Sequence, residues 1–127
     1  MDVTPLVPEG RQIIEGYGNG GFRIGGIVHP GSRLVFPEHS EDWPVASFDA
    51  LTIEALAPVI AAGKDGAVEL LLLGCGSRLA PVPPAIRAAL KEAGVGVEPM
   101  DTGAACRTYN VLMAEGRRIA AALIAVP

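Results

Sequence analysis

Two periodicities divide this chain. From Arg11 to Phe36 the apolar residues come in short alternating runs cut by glycine and proline, which is the habit of strands joined by tight turns. From Thr52 onward the spacing changes to helical stripes that alternate with unbroken apolar runs, the pattern of strands buried on both faces between helices. The clearest of these runs is Val68–Gly76, Val-Glu-Leu-Leu-Leu-Leu-Gly-Cys-Gly, which reads as the middle of an α/β sheet ending in a Gly-x-Gly turn.

In order, residues 1–10 predict an extended entry, Arg11–Tyr17 a strand, and Gly18-Asn19-Gly20-Gly21 a hairpin turn, because Asn-Gly tolerates positive φ at both central positions. Phe22–Val28 predicts a second strand, His29-Pro30-Gly31-Ser32 a type II turn, and Ser32–Phe36 a third strand, together an antiparallel meander. Residues 38–50 predict a polar loop around Trp43. Thr52 is the expected cap of a helix carrying Ile53, Leu56, Val59 and Ile60, with Pro58 expected to break or kink it. Beyond Gly76 the pattern predicts a helix opened by Pro83-Pro84 and closed by Gly94, a strand over Val95–Met100, a helix capped by Thr102, and a last strand over Ile119–Val126. The fold class is α/β: a mixed central sheet with a β-α-β-α-β half and an N-terminal meander layer, in one domain over residues 1–127.

Composition narrows the function classes. Half of the 127 residues are hydrophobic and 19% are charged, enough apolar material for a core without metal or disulfide staples. A net charge of −4 with scattered basic residues argues against a nucleic-acid binder. No apolar run reaches the length of a membrane span, and no leader pattern is visible, so the expectation is a cytoplasmic protein with no membrane insertion. His29 and His39 have no ligand spacing around them, so neither a metal nor a cofactor is expected.

Three places are candidates for chemistry. Gly74, Cys75 and Gly76 stand where α/β sheets hold ligands, at the carboxyl end of a strand, but a dinucleotide fingerprint would need glycine where Leu79 stands and a helix starting at once. The rival reading is a tight turn with close backbone packing. Thr102, Arg107 and Asn110 lie on the next strand-to-helix junction, where with Arg78 they would line a pocket for a small anion or nucleotide fragment. The rival reading there is an arginine and an asparagine that only tie down loops. Cys75 beside a helix start suggests a nucleophile, against the plainer reading of a small buried thiol; a Cys75–Cys106 redox pair is a further alternative.

The runs Phe22-Arg23-Ile24, His29-Pro30-Gly31-Ser32, Leu72-Leu73-Gly74-Cys75-Gly76 and above all Ala104-Ala105-Cys106-Arg107-Thr108-Tyr109-Asn110 resemble the Mth-like domain family. That family includes many bacterial and archaeal proteins of unknown function and a mitochondrial complex I assembly factor. The resemblance covers the chain from about Tyr17 to Val126. It implies a three-layer α/β fold, protein partners, and assembly or scaffolding work in place of catalysis. Members often carry Thr where Cys75 stands, which speaks against a catalytic thiol, and the mitochondrial members carry a presequence not seen here, which implies a bacterial cytosolic protein.

Overall fold

The computed structural model describes residues 10–127, so the extended entry expected over residues 1–10 lies, apart from Gly10, outside the described residues. Eight strands and three α-helices follow in the order β1 Ile14–Gly18, β2 Gly21–Ile24, β3 Ile27–Pro30, β4 Arg33–Val35, β5 Ser40–Asp42, α1 Ala57–Lys64, β6 Leu70–Gly74, α2 Pro84–Glu92, β7 Gly96–Met100, α3 Thr102–Ala114 and β8 Ile119–Leu123. They form a three-stranded sheet, β1-β2-β3, and a five-stranded mixed sheet, β5-β4-β8-β6-β7. β8 pairs parallel to β6 and antiparallel to β4.

The inner strands β8 and β6 are buried on both faces, which is why they read as apolar runs. Leu71 and Leu73 face a core shared with Val59 of α1 and with Ile86 and Leu90 of α2. Leu72 faces the opposite core, with Cys106, Tyr109 and Met113 of α3 and with Ile14, Phe22 and Ile24 of the small sheet. All three leucines are at most 1% exposed, and burying each contributes about 1.5–3 kcal/mol. In β8 the run Ala120-Ala121-Ala122 is fully buried. Small side chains at the centre let the layers on either face approach closely.

Several expectations are corrected. The strand predicted over Phe22–Val28 is two strands, since Gly25 and Gly26 both take positive φ and turn the chain between β2 and β3. The third meander strand, β4, leaves the small sheet and joins the central one beside β8. Residues 38–50 contain β5, which lengthens that sheet by another strand. Pro58 does not break α1 but starts it, in the first turn where a missing N–H costs nothing. Thr52 does not cap α1: its hydroxyl accepts from the Ala55 N–H at 3.1 Å, ahead of α1 in the 3₁₀ turn Glu54–Leu56, whose N-cap position is Ile53. β6 is not the middle strand: β8 is.

One side chain of α3 pairs directly with the backbone of the small sheet. Asn110 accepts from the Ile14 N–H at 2.9 Å and donates to the Ile14 carbonyl at 2.8 Å, so its amide pairs with β1 as a neighbouring strand would. Both backbone groups lose their partner in Asn110→Ala, and each orphaned polar group costs about 1–3 kcal/mol. The variant is expected to unfold at lower denaturant, with hydrogen exchange at the Ile14 amide accelerating well beyond the change seen in β6. Equal exchange rates in the two proteins would contradict this tie.

Candidate functional site

The carboxyl end of the central sheet is closed by a network on Thr102. The Thr102 hydroxyl accepts from the Gly76 N–H at 3.0 Å and donates to the Ile124 carbonyl at 2.7 Å, and the residue is fully buried. Its own N–H donates to the Gly76 carbonyl at 2.8 Å, Cys75 N–H donates to the Met100 carbonyl at 2.8 Å, and Ile124 N–H donates to the Gly74 carbonyl at 3.0 Å. The turn after β6, the start of α3 and the exit from β8 are thus one knot. Both glycines are required by it. A Cβ at Gly74 would sit 3.1 Å from the Thr102 hydroxyl oxygen and 3.0 Å from Leu123 Cδ2. Gly76 takes φ +102°, a backbone conformation that a side chain disfavours.

Gly74, Cys75, Gly76 and Thr102 are therefore brought together, while the other three expected residues are not part of the knot. Asn110, about two turns along α3, holds β1. Arg107 is exposed and donates from Nη1 to the Tyr17 hydroxyl at 3.1 Å. Arg78 stands exposed in the irregular segment before α2. The cap of α3 is Asp101, not Thr102: its carboxylate accepts from the Ala104 N–H at 2.9 Å. An anionic side chain already occupies the positive end of this helix. Tyr17 was not singled out by sequence pattern, yet it lies across the first turn of α3, where a Cβ on Gly103 would come 2.8 Å from its ring carbon Cζ. A glycine one residue inside a capped helix start was the available signal.

Both thiols are free and buried. Cys75 Sγ points at the carbonyls of Leu73 (3.5 Å) and Ala80 (3.7 Å), and burial raises its pKa above 9.0. Burial pushes Cys106 from 9.0 up to about 12, with the Arg107 charge working the other way. Neither environment favours a thiolate nucleophile at neutral pH. Among the described residues no group of three or more His, Cys, Asp or Glu converges as a metal site, and no helix is long and apolar enough to cross a membrane.

The edges of the sheets differ in how they are protected. β5 carries Glu41 and Asp42, β7 carries Glu98 and Pro99, and β1 is bulged and bound by Asn110. Charge, proline and bulges are the usual guards of an unpaired edge. β3, Ile-Val-His-Pro, has no Lys, Arg, Asp or Glu and carries proline only at its last position, and Ile27 and Val28 are 61% and 62% exposed. Val28 borders one shallow depression with Tyr17 and Arg23. Val111, also exposed, follows Arg107 by one turn on α3.

Comparison with known proteins places this geometry in a family. Residues 14–124 match the model of a protein of unknown function, DUF498/DUF598. An uncharacterised protein of Rhodobacter capsulatus is 44% identical over 115 residues, covering 90% of this chain and 85% of that protein. The NADH dehydrogenase [ubiquinone] 1 alpha subcomplex assembly factor 3 of Xenopus tropicalis is 36% identical over 111 residues, covering 87% of this chain but only 60% of that protein's length. The solution structure of a Mth938-like domain from Bordetella pertussis superposes with a TM-score of 0.84 at 29% identity, covering 98% of this chain and 92% of that one. The three-layer α/β fold implied by the resemblance is the fold observed.

Two measurements follow from the knot and the thiols. Thr102→Val keeps the shape but leaves the Gly76 N–H and the Ile124 carbonyl unpaired, so it is expected to cost about 2–4 kcal/mol in urea unfolding, while Thr102→Ser, retaining the hydroxyl, costs clearly less. Cys106 keeps its proton in the folded state up to about 12, whereas the unfolded thiol releases it above 9.0. Stability is then complete below that lower value and falls as pH rises between the two, by about 1.4 kcal/mol per pH unit. Denaturant titrations at about pH 8 and about pH 10.5 should show this decline, and Cys106→Ala should make it shallower.

Proposed function

The chain belongs to the DUF498/DUF598 family of proteins of unknown function, and from that premise we propose that it is a protein-interaction factor assisting assembly of a respiratory complex of the complex I kind. The observation that carries this reading is β3, an edge strand free of Lys, Arg, Asp and Glu, with Ile27 and Val28 exposed and Val28 bordering a depression with Tyr17 and Arg23. An open edge flanked by apolar side chains supplies both backbone hydrogen bonds and burial to an incoming strand of a partner. The name carried by the Xenopus relative supports the assembly role. So does the engagement of the expected ligand residues within the protein: the Thr102 hydroxyl and the Asn110 amide already have their partners.

The test is genetic and biochemical together. Removing the chain from its native host is expected to lower the amount of assembled NADH:ubiquinone oxidoreductase in membranes, measured on native gels and as NADH oxidation. Reintroducing the natural chain restores it. The double variant Ile27→Glu, Val28→Glu is not expected to restore it, although such exposed substitutions change folding stability by only about 0.5 kcal/mol each. Unchanged complex in the deletion strain refutes the assembly role, and full rescue by the double variant removes β3 from it.

A further inference from the structure

At the amino end of the parallel strands, opposite the Thr102 knot, a recess of about 410 Å³ opens between α1, the end of α3 and the turn from β4 to β5. That volume lies in the range of about 300–1,000 Å³ usual for small-molecule sites. Its floor is apolar: Phe36, Pro58, Ala62, Val68 and Met113. Its rim carries three arginines, Arg11, Arg117 and Arg118, against one carboxylate, Glu38, with His39 beside it.

The charges do not cancel. Glu69 serves both Arg118, at 2.8 Å, and Arg117, at 3.7 Å, while Glu38 approaches Arg11 no closer than 3.7 Å and is itself largely exposed. Among the described residues two carboxylates thus contact three guanidiniums, leaving one positive charge over on a chain whose net charge is −4. Arg118 spends its donors on Glu69 and on the Gly66 carbonyl. Among the described residues the guanidiniums of Arg11 and Arg117 make contacts at 3.7 Å but no hydrogen bond. They are not needed to cap α3 either, because the carbonyls of Val111, Leu112 and Met113 take backbone N–H groups from Glu115, Arg117 and Gly116. One turn before Met113, the buried Tyr109 hydroxyl also has no partner among the described residues, and the Arg11 charge acts on it.

We propose that this recess binds small apolar carboxylic acids, a short acyl chain lying on the floor and its carboxylate held by the guanidiniums of Arg11 and Arg117. One excess positive charge matches a monoanion, and the planar fork of arginine matches a carboxylate. The apolar floor disfavours a fully hydrated anion such as phosphate, which brings no surface to bury. The site is independent of the assembly reading, since no residue of β3 lines it.

Octanoate is the probe, titrated into the full chain and followed by amide and methyl NMR shifts. Saturable shifts are expected at Ala62, Val68 and Met113, with octan-1-ol and inorganic phosphate each at least about tenfold weaker. Arg11→Gln with Arg117→Gln should weaken octanoate by about tenfold and leave octan-1-ol unchanged. Ala67→Phe, which fills the recess from its exposed wall, should abolish binding of both while the melting temperature holds. Shifts that do not saturate, octan-1-ol or phosphate matching octanoate, or shifts centred on Ile27 and Val28 would each overturn the proposal.

Discussion

One hydroxyl group joins the turn after β6, the start of α3 and the exit from β8. Thr102 is fully buried, and its oxygen both accepts from Gly76 and donates to Ile124. A buried hydroxyl satisfied on both sides contributes modestly, but the same group left half-paired would be a liability, so the geometry is tightly specified. The knot sets where α3 begins, and α3 in turn carries Asn110 to β1 and Arg107 to Tyr17. The position of the small sheet thus descends from the turn after β6.

The two ends of the central sheet have taken opposite characters. At the carboxyl end, where open α/β sheets usually hold ligands, glycines at 74 and 76 serve close packing, and Asp101 occupies the helix terminus. At the amino end the layers diverge and leave a recess with an apolar floor under arginines. The Gly-x-Gly turn is a reminder that the residues which let backbone approach a phosphate equally let it approach another helix.

Local signals carried the reading of the chain a long way, and failed where distance took over. Apolar runs marked β6 and β8, Pro83-Pro84 and Gly94 marked the limits of α2, and Asn19-Gly20 marked the first hairpin. The turn at Gly25-Gly26 is hidden in the sequence because the alternation of Phe22, Ile24 and Val28 runs through it, and only the pairing of β2 with β3 reveals it. Asp101 and Thr102 are both good caps by type, and what separates them is a carbonyl from β8 that claims the threonine. Of the seven expected site residues, four meet because they flank adjacent strand ends; Asn110 finds Ile14 across 96 positions of sequence, which no spacing rule encodes.

The order β5-β4-β8-β6-β7 has a consequence for biosynthesis. The strand at the heart of the sheet is the last to leave the ribosome, so β4 and β6 wait with bare flanks while α2, β7 and α3 are being made. Nothing local can stand in for residues 119–123, because both neighbours of β8 lie far upstream. Closure of the sheet is then a late event of high contact order, and slow for that reason.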